Sequence, residues 1–274
     1  MGNGCSLQQA LLPLFLVSVV KSMAARTLTC GSKIVHCNLG ALLLDFDGTI
    51  CETEKEITLE QFNEMFRTTK GLEDVSWSSE VYGELLTVGA SQARLSHFFD
   101  AHGWPAASAQ IGKKAYVDML KHRKDDMFDS VWQRQKLPAL PGVVRLIDEA
   151  LSSGDGQVKV AVVSNSNLQP VTKMCLSLLG PERISKILIL TGDMPAFKLH
   201  KKPDPKLYVS AAEALGVAPD RCVCIEDSSV GLAAAKGAGM LCIVTPSYYT
   251  KARDDFSLAD MVVSDLEGGG VRIQ

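Results

Sequence analysis

The stretch ALLLDFDGT, residues 41–49, constrains the fold of this chain more than any other segment. A short, uninterrupted apolar run is typical of a strand that is buried on both faces of a parallel sheet. The run ends at two carboxylates, Asp45 and Asp47, which are followed by Gly48 and Thr49. Ligands of open parallel sheets bind beyond the carboxyl ends of the strands. The stretch therefore predicts a buried strand that delivers two aspartates to a functional site.

The remainder of the sequence predicts the sheet to which this strand belongs. From about residue 140 onward, segments of helical spacing alternate with β-rich runs such as VKVAVVS, CVCIED and MLCIVT. This alternation predicts an α/β fold with a doubly wound parallel sheet that helices cover on both faces. Residues 53–138 have helical spacing almost throughout, which predicts a helical cap domain inserted after the first strand. The core domain is thus expected to comprise residues 39–52 and 139–274.

Composition narrows the function of the chain. The 274 residues carry a formal net charge of -3 and contain no Lys/Arg-rich run, which argues against a nucleic-acid-binding protein. The eight cysteines include no C-x-x-C pair, which argues against a zinc site and favours free thiols. Cys51 lies beside the two aspartates and is interpreted as a packing residue rather than a redox-sensitive thiol.

The first 44 residues differ from the rest of the chain, since they contain basic residues but no Asp or Glu. Their apolar run, residues 10–20, is shorter than the roughly 20 residues that span a bilayer. We interpret residues 1–38 as a leader. Its acid-free composition resembles an organelle transit peptide. The sequence MGNGCS also matches the pattern for myristoylation at Gly2, with Cys5 available for palmitoylation, and two lipids would anchor the chain to a membrane. The third alternative is an N-terminal tail without a targeting signal, on a cytoplasmic protein.

Polar side chains follow several predicted strands, at the edge where the carboxyl ends of parallel strands meet. They provide carboxylates, a hydroxyl, an amide and an amine: Asp45, Asp47, Ser164, Asn165, Lys202, Glu226 and Asp227. Phosphoryl transfer from a monoester needs such a set, because a carboxylate nucleophile and a phosphate dianion repel each other until a cation neutralises them. Mg2+ suits this task, since it prefers oxygen ligands and retains waters.

The residues at the end of the first strand are expected to act as the nucleophile, as the general acid and base, and as a phosphate-binding turn. Asp45 is the candidate nucleophile, which forms an aspartyl-phosphate. Asp47 is the candidate acid and base, which protonates the leaving oxygen and later deprotonates the attacking water. The backbone N–H groups around Gly48 and Thr49 can cradle phosphate oxygens without a clashing side chain.

The other residues of the set are expected to bind the transferring group and the metal. Ser164 and Asn165 would hydrogen-bond the phosphoryl oxygens, and Lys202 would balance their charge. Glu226 would hold the metal directly or through a water. The carboxylates assigned to Mg2+ are Asp45, Asp47, Glu226 and Asp227.

Four motifs of the chain resemble the signature motifs of the haloacid dehalogenase (HAD) superfamily phosphatases: DFDGT, VVSNSN, KKPDPKLY and IEDSSVGLAAAKGAGM. The resemblance covers about residues 40–265 and is strongest for the CbbY-like group, whose plastid members dephosphorylate xylulose-1,5-bisphosphate. It implies a Rossmann-like core with an inserted helical cap, and a Mg2+-dependent phosphatase that acts on a small sugar phosphate, specifically a bisphosphate. The plastid location of members of this group favours the chloroplast stroma as the location of the protein. We infer no stable protein partner and expect a monomer.

The resemblance assigns the roles given above to five core residues: Asp45, Asp47, Ser164, Lys202 and Asp227. In the cap, Glu54 matches a hinge glutamate that contacts the sugar, and Arg94 matches the arginine of a Gly-Gly-Gly-Lys-x-Arg loop. Thr58 and Gln92 stand where the group usually has a histidine and the lysine of that loop. Binding of a second substrate phosphate would therefore depend on Arg94.

Two alternatives share this fold with a phosphatase. A hexose-phosphate mutase retains its phosphoenzyme, and such mutases tend to use the cap histidine and lysine that this chain lacks. A non-catalytic HAD-fold binding protein has no need of a complete catalytic set, and a decaying site usually loses its nucleophile first. The sequence therefore favours a phosphatase over both.

Overall fold

The computed structural model of the protein describes residues 26–152 and 158–274. Within these ranges the strands are β1 (Thr27–Cys30), β2 (Lys33–Cys37), β3 (Ala41–Leu44), β4 (Lys159–Ser164), β5 (Ile187–Thr191), β6 (Cys222–Glu226), β7 (Leu241–Val244), β8 (Met261–Val262) and β9 (Val271–Ile273). The main sheet is parallel, with the order β5-β4-β3-β6-β7-β8. The chain builds outward from β3 to one edge and then from β6 to the other, so the switch point lies between β3 and β6. The predicted doubly wound α/β fold is confirmed.

The strand β3 lies at the centre of this sheet and is covered on both faces. Leu42 and Leu44 belong to one buried apolar cluster, and Ala41 and Leu43 belong to the other. All four side chains are fully buried. This two-sided burial is the reason why β3 is apolar throughout rather than alternating.

The segment between β3 and residue 140 is helical. Its helices are α1 (Leu59–Arg67), α2 (Ser79–Leu85), α3 (Ser91–His102), α4 (Ala106–Ile111), α5 (Lys113–Asp126) and α6 (Phe128–Gln135). A π-helical turn, Glu54–Thr58, leads directly into α1, and a 3₁₀ turn, Leu86–Val88, follows α2. Residues 53–138 are all described and contain no strand. The interior of this cap is aromatic; the ring centroids of Phe62 and Trp77, for example, lie 4.5 Å apart.

The helices that follow the cap cover the sheet. They are α7 (Val143–Leu151), α8 (Leu168–Leu179), α9 (Pro181–Ile184), α10 (Lys206–Leu215) and α11 (Ser229–Gly237), with a 3₁₀ turn at Pro219–Arg221. Residues of α7 and α8 pack in the apolar cluster of Leu42, whereas residues of α10 and α11 pack in the cluster of Leu43. The short helices α4 and α9 were not predicted.

A small antiparallel sheet, with the order β2-β1-β9, lies beside the core and differs from the sequence interpretation. Leu28 of β1 pairs with Ile273 of β9, and both Leu28 and Val271 are fully buried in the apolar cluster of Leu42. Residues 27–37 therefore fold with the core, although the sequence placed residues 1–38 in the leader. The strands are too short for a periodic pattern, and β1 pairs with the opposite end of the chain.

The predicted localisations of the protein depend on the first part of the leader. Gly2, Cys5 and the apolar run of residues 10–20 lie outside the described residues, so the transit peptide and the lipid anchor stay predictions. No helix within residues 26–152 or 158–274 has both the length and the apolarity needed to cross a membrane.

The contribution of β1 to the fold can be tested with two substitutions in the small sheet. Leu28→Ala should lower the free energy of unfolding by about 2–5 kcal/mol, because it leaves a cavity in a fully buried cluster. Ile34→Ala is the control, since the Ile34 side chain is 65% exposed and its loss should change stability by no more than about 0.5 kcal/mol. Urea denaturation of the two variants measures both values. Equal, small effects would mean that β1 is dispensable for the core.

Candidate active site

The carboxyl ends of the central strands bring together the polar residues that the sequence placed at strand ends. Asp45 directly follows β3, Ser164 ends β4, and Glu226 ends β6 with Asp227 next to it. Lys202 comes from the connection between β5 and α10 and reaches the same edge, where it contacts Asp45 and Glu226. The site therefore lies at the switch point of the sheet.

The Lys202 ammonium lies at the centre of this site. Its Nζ donates to Oδ1 of Asp45 at 2.6 Å, to Oε1 of Glu226 at 2.7 Å and to the hydroxyl of Tyr208 at 3.1 Å. The Tyr208 hydroxyl in turn donates to Oε1 of Glu226. The side chains of the three charged residues are at most 9% exposed. Tyr208 was not predicted, because its spacing from Lys202 in KKPDPKLY matches no catalytic pattern.

Burial and charge together set the protonation of this cluster. Burial raises the pKa of Asp45 well above its ordinary value, although the Lys202 ammonium acts in the opposite direction. Burial tends to lower the pKa of Lys202, but the carboxylates of Asp45 and Glu226 outweigh this effect and raise that pKa. Burial and then the Glu226 carboxylate raise the pKa of Tyr208, so its hydroxyl keeps its proton. Lys202 therefore stays protonated beside two acidic groups.

Asp227 completes a group of three carboxyl groups that could hold a metal ion. One oxygen from each of Asp45, Glu226 and Asp227 lies within 4.8 Å of the others. Burial and the neighbouring Glu226 raise the pKa of Asp227 to about 8. Oε2 of Glu226 is buried and has no hydrogen-bond partner among the described residues. Crowded, buried carboxylate oxygens of this kind fit a hard divalent cation. The Asp47 carboxylate, which the sequence also assigned to the metal, does not belong to this group.

Hydroxyl groups hold the Asp47 carboxylate instead. Thr53 donates to Oδ1 at 2.5 Å, while Ser166 and Ser164 donate to Oδ2 at 2.6 Å and 3.1 Å. The N–H of Ser166 also donates to Oγ of Ser164 at 3.0 Å, which fixes the two serines relative to each other. Thr53 and Ser166 were missed in the sequence. Of these two residues, only Ser166 lies in one of the motifs that point to the site, as the second serine of VVSNSN.

The side chain of Asn165, which was predicted to contact substrate, bonds to the backbone of Lys202 in this structure. Its side-chain oxygen accepts a hydrogen bond from the N–H of Lys202 at 2.8 Å, and its side-chain nitrogen donates to the Lys202 carbonyl at 3.2 Å. Nζ of Lys201 donates to the Asn165 carbonyl at 3.1 Å. Both polar atoms of the Asn165 side chain therefore bond to the backbone of Lys202, and Asn165 anchors the segment that carries this lysine.

The turn at Gly48 leaves no room for a side chain. Gly48 has a φ of 83°, and a Cβ at this position would lie 2.4 Å from Oδ2 of Asp227. The N–H of Gly48 donates to the Cys51 carbonyl at 2.8 Å, and the N–H of Thr49 donates to the Phe46 carbonyl at 3.3 Å. In this structure the two N–H groups that were expected to cradle phosphate therefore hold the turn itself.

Gly231 makes room for the Glu226 carboxylate. The helix α11 begins three residues after Glu226, and a Cβ on Gly231 would lie 1.9 Å from Oε2 of Glu226. Oγ of Ser228 accepts a hydrogen bond from the N–H of Gly231 at 3.2 Å and caps the helix. The SSVG sequence thus both starts α11 and lets its first turn approach the site.

Glu54 and Arg94, the predicted cap residues, lie together. The hydroxyl of Tyr82 donates to Oε2 of Glu54 and accepts a hydrogen bond from Nη1 of Arg94 at 2.8 Å. Nη1 of Arg94 lies 3.7 Å from Oε2 of Glu54. Glu54 directly follows Thr53, whose hydroxyl contacts Asp47, so this cap cluster of Glu54, Tyr82 and Arg94 begins at the edge of the core site.

The two cap residues that depart from the CbbY-like pattern lie in different surroundings. Gln92 lines a groove between α3 and α5 together with Asp118. Gln92 therefore points to that groove rather than toward Arg94. Thr58 is half-buried at the end of the π-helical turn.

Comparison with known proteins gives a family for this arrangement. A family model described as haloacid dehalogenase-like hydrolase matches residues 39–239. A CBBY-like protein of Arabidopsis thaliana is 43% identical over 247 residues, which is 89% of this chain and 75% of the relative. Protein CbbY of Cereibacter sphaeroides is 36% identical over 233 residues, which is 84% of this chain and 94% of the relative.

Solved structures agree with these relatives. A crystal structure of CbbY from Rhodobacter sphaeroides in complex with phosphate has a TM-score of 0.69 and 33% identity, and the match covers 84% of this chain and 95% of that one. A CbbY variant from the same organism, in complex with xylulose-1,5-bisphosphate, matches equally well. A putative β-phosphoglucomutase from Thermotoga maritima, at 19% identity and a TM-score of 0.63, shares the fold.

The chain belongs to the haloacid dehalogenase-like hydrolase family. It is an enzyme of the phosphatase type, and its similarity to CbbY proteins extends over most of its length. The family and the enzyme class that the sequence predicted are confirmed.

Two glycines of α11 test how closely the helix must approach the site. Gly231→Ala should lower turnover by about a hundredfold, because the new Cβ displaces the Glu226 carboxylate and with it Lys202. Gly237→Ala is the control, since the nearest atom of the described residues to its Cβ would be Cβ of Pro205 at 3.4 Å. This control should keep full turnover and gain up to about 1 kcal/mol of stability. Phosphate release and thermal unfolding of both variants are the measurements. Full activity of Gly231→Ala would mean that Glu226 has no fixed position.

Proposed function

We propose that the protein is a Mg2+-dependent phosphatase that hydrolyses a small sugar phosphate through an aspartyl-phosphate on Asp45. The observation that carries this proposal is the buried contact of 2.6 Å between the Asp45 carboxylate and the Lys202 ammonium at the switch point of the sheet. A cation in this position acts against the burial that raises the pKa of Asp45, and it offsets the charge of an incoming phosphate. The family to which the chain belongs supports the hydrolytic reaction.

The reaction has two steps that use the same pair of aspartates. In the first step, an oxygen of Asp45 forms a bond to phosphorus while the bond from phosphorus to the sugar oxygen breaks, and Asp47 gives its proton to that oxygen. In the second step, Asp47 takes a proton from water, the water oxygen bonds to phosphorus, and the bond to Asp45 breaks to release inorganic phosphate. The hydroxyls of Thr53, Ser164 and Ser166 keep Asp47 oriented for both transfers.

A divalent cation would complete the site. Asp45 and Asp227 would hold Mg2+, with Glu226 directly or through a water. Oε2 of Glu226, which has no hydrogen-bond partner within residues 26–152 and 158–274, supports a cation nearby. When bound, Mg2+ supplies the charge neutralisation that lets a carboxylate approach a phosphate dianion. Lys202 contributes the part of this neutralisation that the chain provides itself.

The substrate is proposed to be a pentulose bisphosphate such as xylulose-1,5-bisphosphate. The similarity to the CbbY protein whose crystal structure contains this compound supports the proposal. The cap cluster supports it as well, because Arg94 can hold a remote phosphate bidentately while Glu54 accepts from a sugar hydroxyl. A hexose-phosphate mutase is the alternative, and it would convert one sugar phosphate to another without net release of phosphate.

The catalytic assignment predicts a dependence on the leaving group. The wild-type protein should release phosphate from sugar phosphates with Mg2+ and stop when EDTA is added. Asp47→Asn should lose about 10²–10⁴-fold in turnover with a sugar alkoxide, because that leaving group needs a proton, and much less with p-nitrophenolate. Asp45→Asn is the control, which should lose turnover of both substrates alike by several orders of magnitude. Equal losses of Asp47→Asn on both substrates would remove its role as an acid.

The cap cluster predicts a preference for two phosphates. Arg94→Ala should raise KM for a bisphosphate by about ten- to a hundredfold, since a charge-assisted hydrogen bond contributes roughly 1.5–3 kcal/mol, and should affect the matched monophosphate less. Gln92→Ala should change neither value, because Gln92 faces the outer groove with Asp118. Steady-state kinetics of the three proteins on a matched substrate pair decide the question. A similar rise for both substrates would point to a sugar monophosphate.

A further inference from the structure

The phenol of Tyr208 is fully buried beneath the active site, near the start of α10. Its ring packs in the apolar cluster of Leu43, as a phenylalanine ring at this position would also do. Its hydroxyl, in contrast, lies between the two charged groups of the site, since it accepts from Nζ of Lys202 at 3.1 Å and donates to Oε1 of Glu226. Packing therefore accounts for the ring but not for the hydroxyl.

The contacts of Lys202 give the hydroxyl a specific place. A lysine ammonium has three N–H donors, and here they are directed to Asp45, Glu226 and Tyr208. Glu226 and Tyr208 are also bonded to each other, so they form one hydrogen-bonded unit, while Asp45 is the third acceptor of the ammonium. A lysine side chain is long and flexible, and it keeps one position only when its surroundings fix it. Asn165 fixes the backbone of Lys202, and the unit of Tyr208 and Glu226 fixes its charged end.

We propose that Tyr208 is a positioning residue of the hydrolytic reaction, which holds the Lys202 ammonium against Asp45 and keeps the Glu226 carboxylate turned toward Lys202. The inference rests on the proposed function and adds to it a residue that touches neither substrate nor metal. Without the hydroxyl, Lys202 loses an acceptor and Glu226 loses a donor, so the ammonium can leave the place where charge develops on Asp45 and the phosphoryl group.

Tyr208→Phe tests this inference, with Tyr116→Phe as the matched control. Tyr116 is also buried, but it lies in the cap, and its hydroxyl has no hydrogen-bond partner within the part of the chain that is described. Tyr208→Phe should lower kcat by about ten- to a hundredfold with little change in KM, because the lost hydrogen bonds involve charged groups that act on the transition state. Tyr116→Phe should leave both constants unchanged. Thermal unfolding of both variants shows that each is folded.

A double-mutant cycle separates positioning from a general structural effect. If Tyr208 acts through Lys202, Tyr208→Phe should cause little further loss of turnover in a Lys202→Ala background. Two results would overturn the inference: kinetics of Tyr208→Phe that match those of Tyr116→Phe, or a loss that adds in full to that of Lys202→Ala. A wild-type protein that releases no phosphate from sugar phosphates or p-nitrophenyl phosphate would instead contradict the proposed function.

Discussion

The buried ammonium of Lys202 is the interaction on which the rest of the site depends. A charge removed from water is costly unless it is paired and hydrogen-bonded, and Lys202 is paired with Asp45 and Glu226 and bonded to Tyr208. Lys202 contacts both carboxylates, each of which is buried beside other acidic groups. Loss of one partner from a buried pair typically costs about 3–5 kcal/mol. The contact therefore joins the stability of the core to the proposed chemistry.

The geometry of this contact explains why small residues occur where they do. Gly48 and Gly231 allow backbone to pass against the carboxylates of Asp227 and Glu226, at distances where a Cβ would overlap an oxygen. Both glycines lie in motifs that also supply the acidic groups, DFDGT and IEDSSVG. Each motif therefore contains acidic residues and also a glycine that leaves room for a carboxylate. The cap joins this arrangement through Thr53, since its hydroxyl reaches Asp47 from the residue before Glu54.

The sequence predicts the main sheet because burial on both faces leaves a simple pattern, as in the apolar run of β3. The small sheet was missed because β1, β2 and β9 are short, and because β9 joins β1 from a distant part of the sequence. In the site, topology predicts which residues meet, since parallel strands place Asp45, Ser164 and Glu226 at one edge. The sequence does not say which atoms bond, because that depends on loop conformation. The Asn165 side chain bonds to the Lys202 backbone, a contact that the sequence did not predict, and its contact with substrate stays a prediction. Tyr208 was not predicted because its contacts depend on the fold and not on a sequence spacing.

In the proposed reaction, Asp45 carries the phosphoryl group during turnover. The most direct measurement is acid quenching of the wild-type enzyme in the steady state with a radiolabelled sugar phosphate, followed by digestion and mass spectrometry of the labelled peptide. One phosphoryl group is expected on Asp45, and it should be lost when the quenched peptide is treated with hydroxylamine. Rapid hydrolysis with no label on the protein, or with the label on another residue, would contradict the proposed reaction.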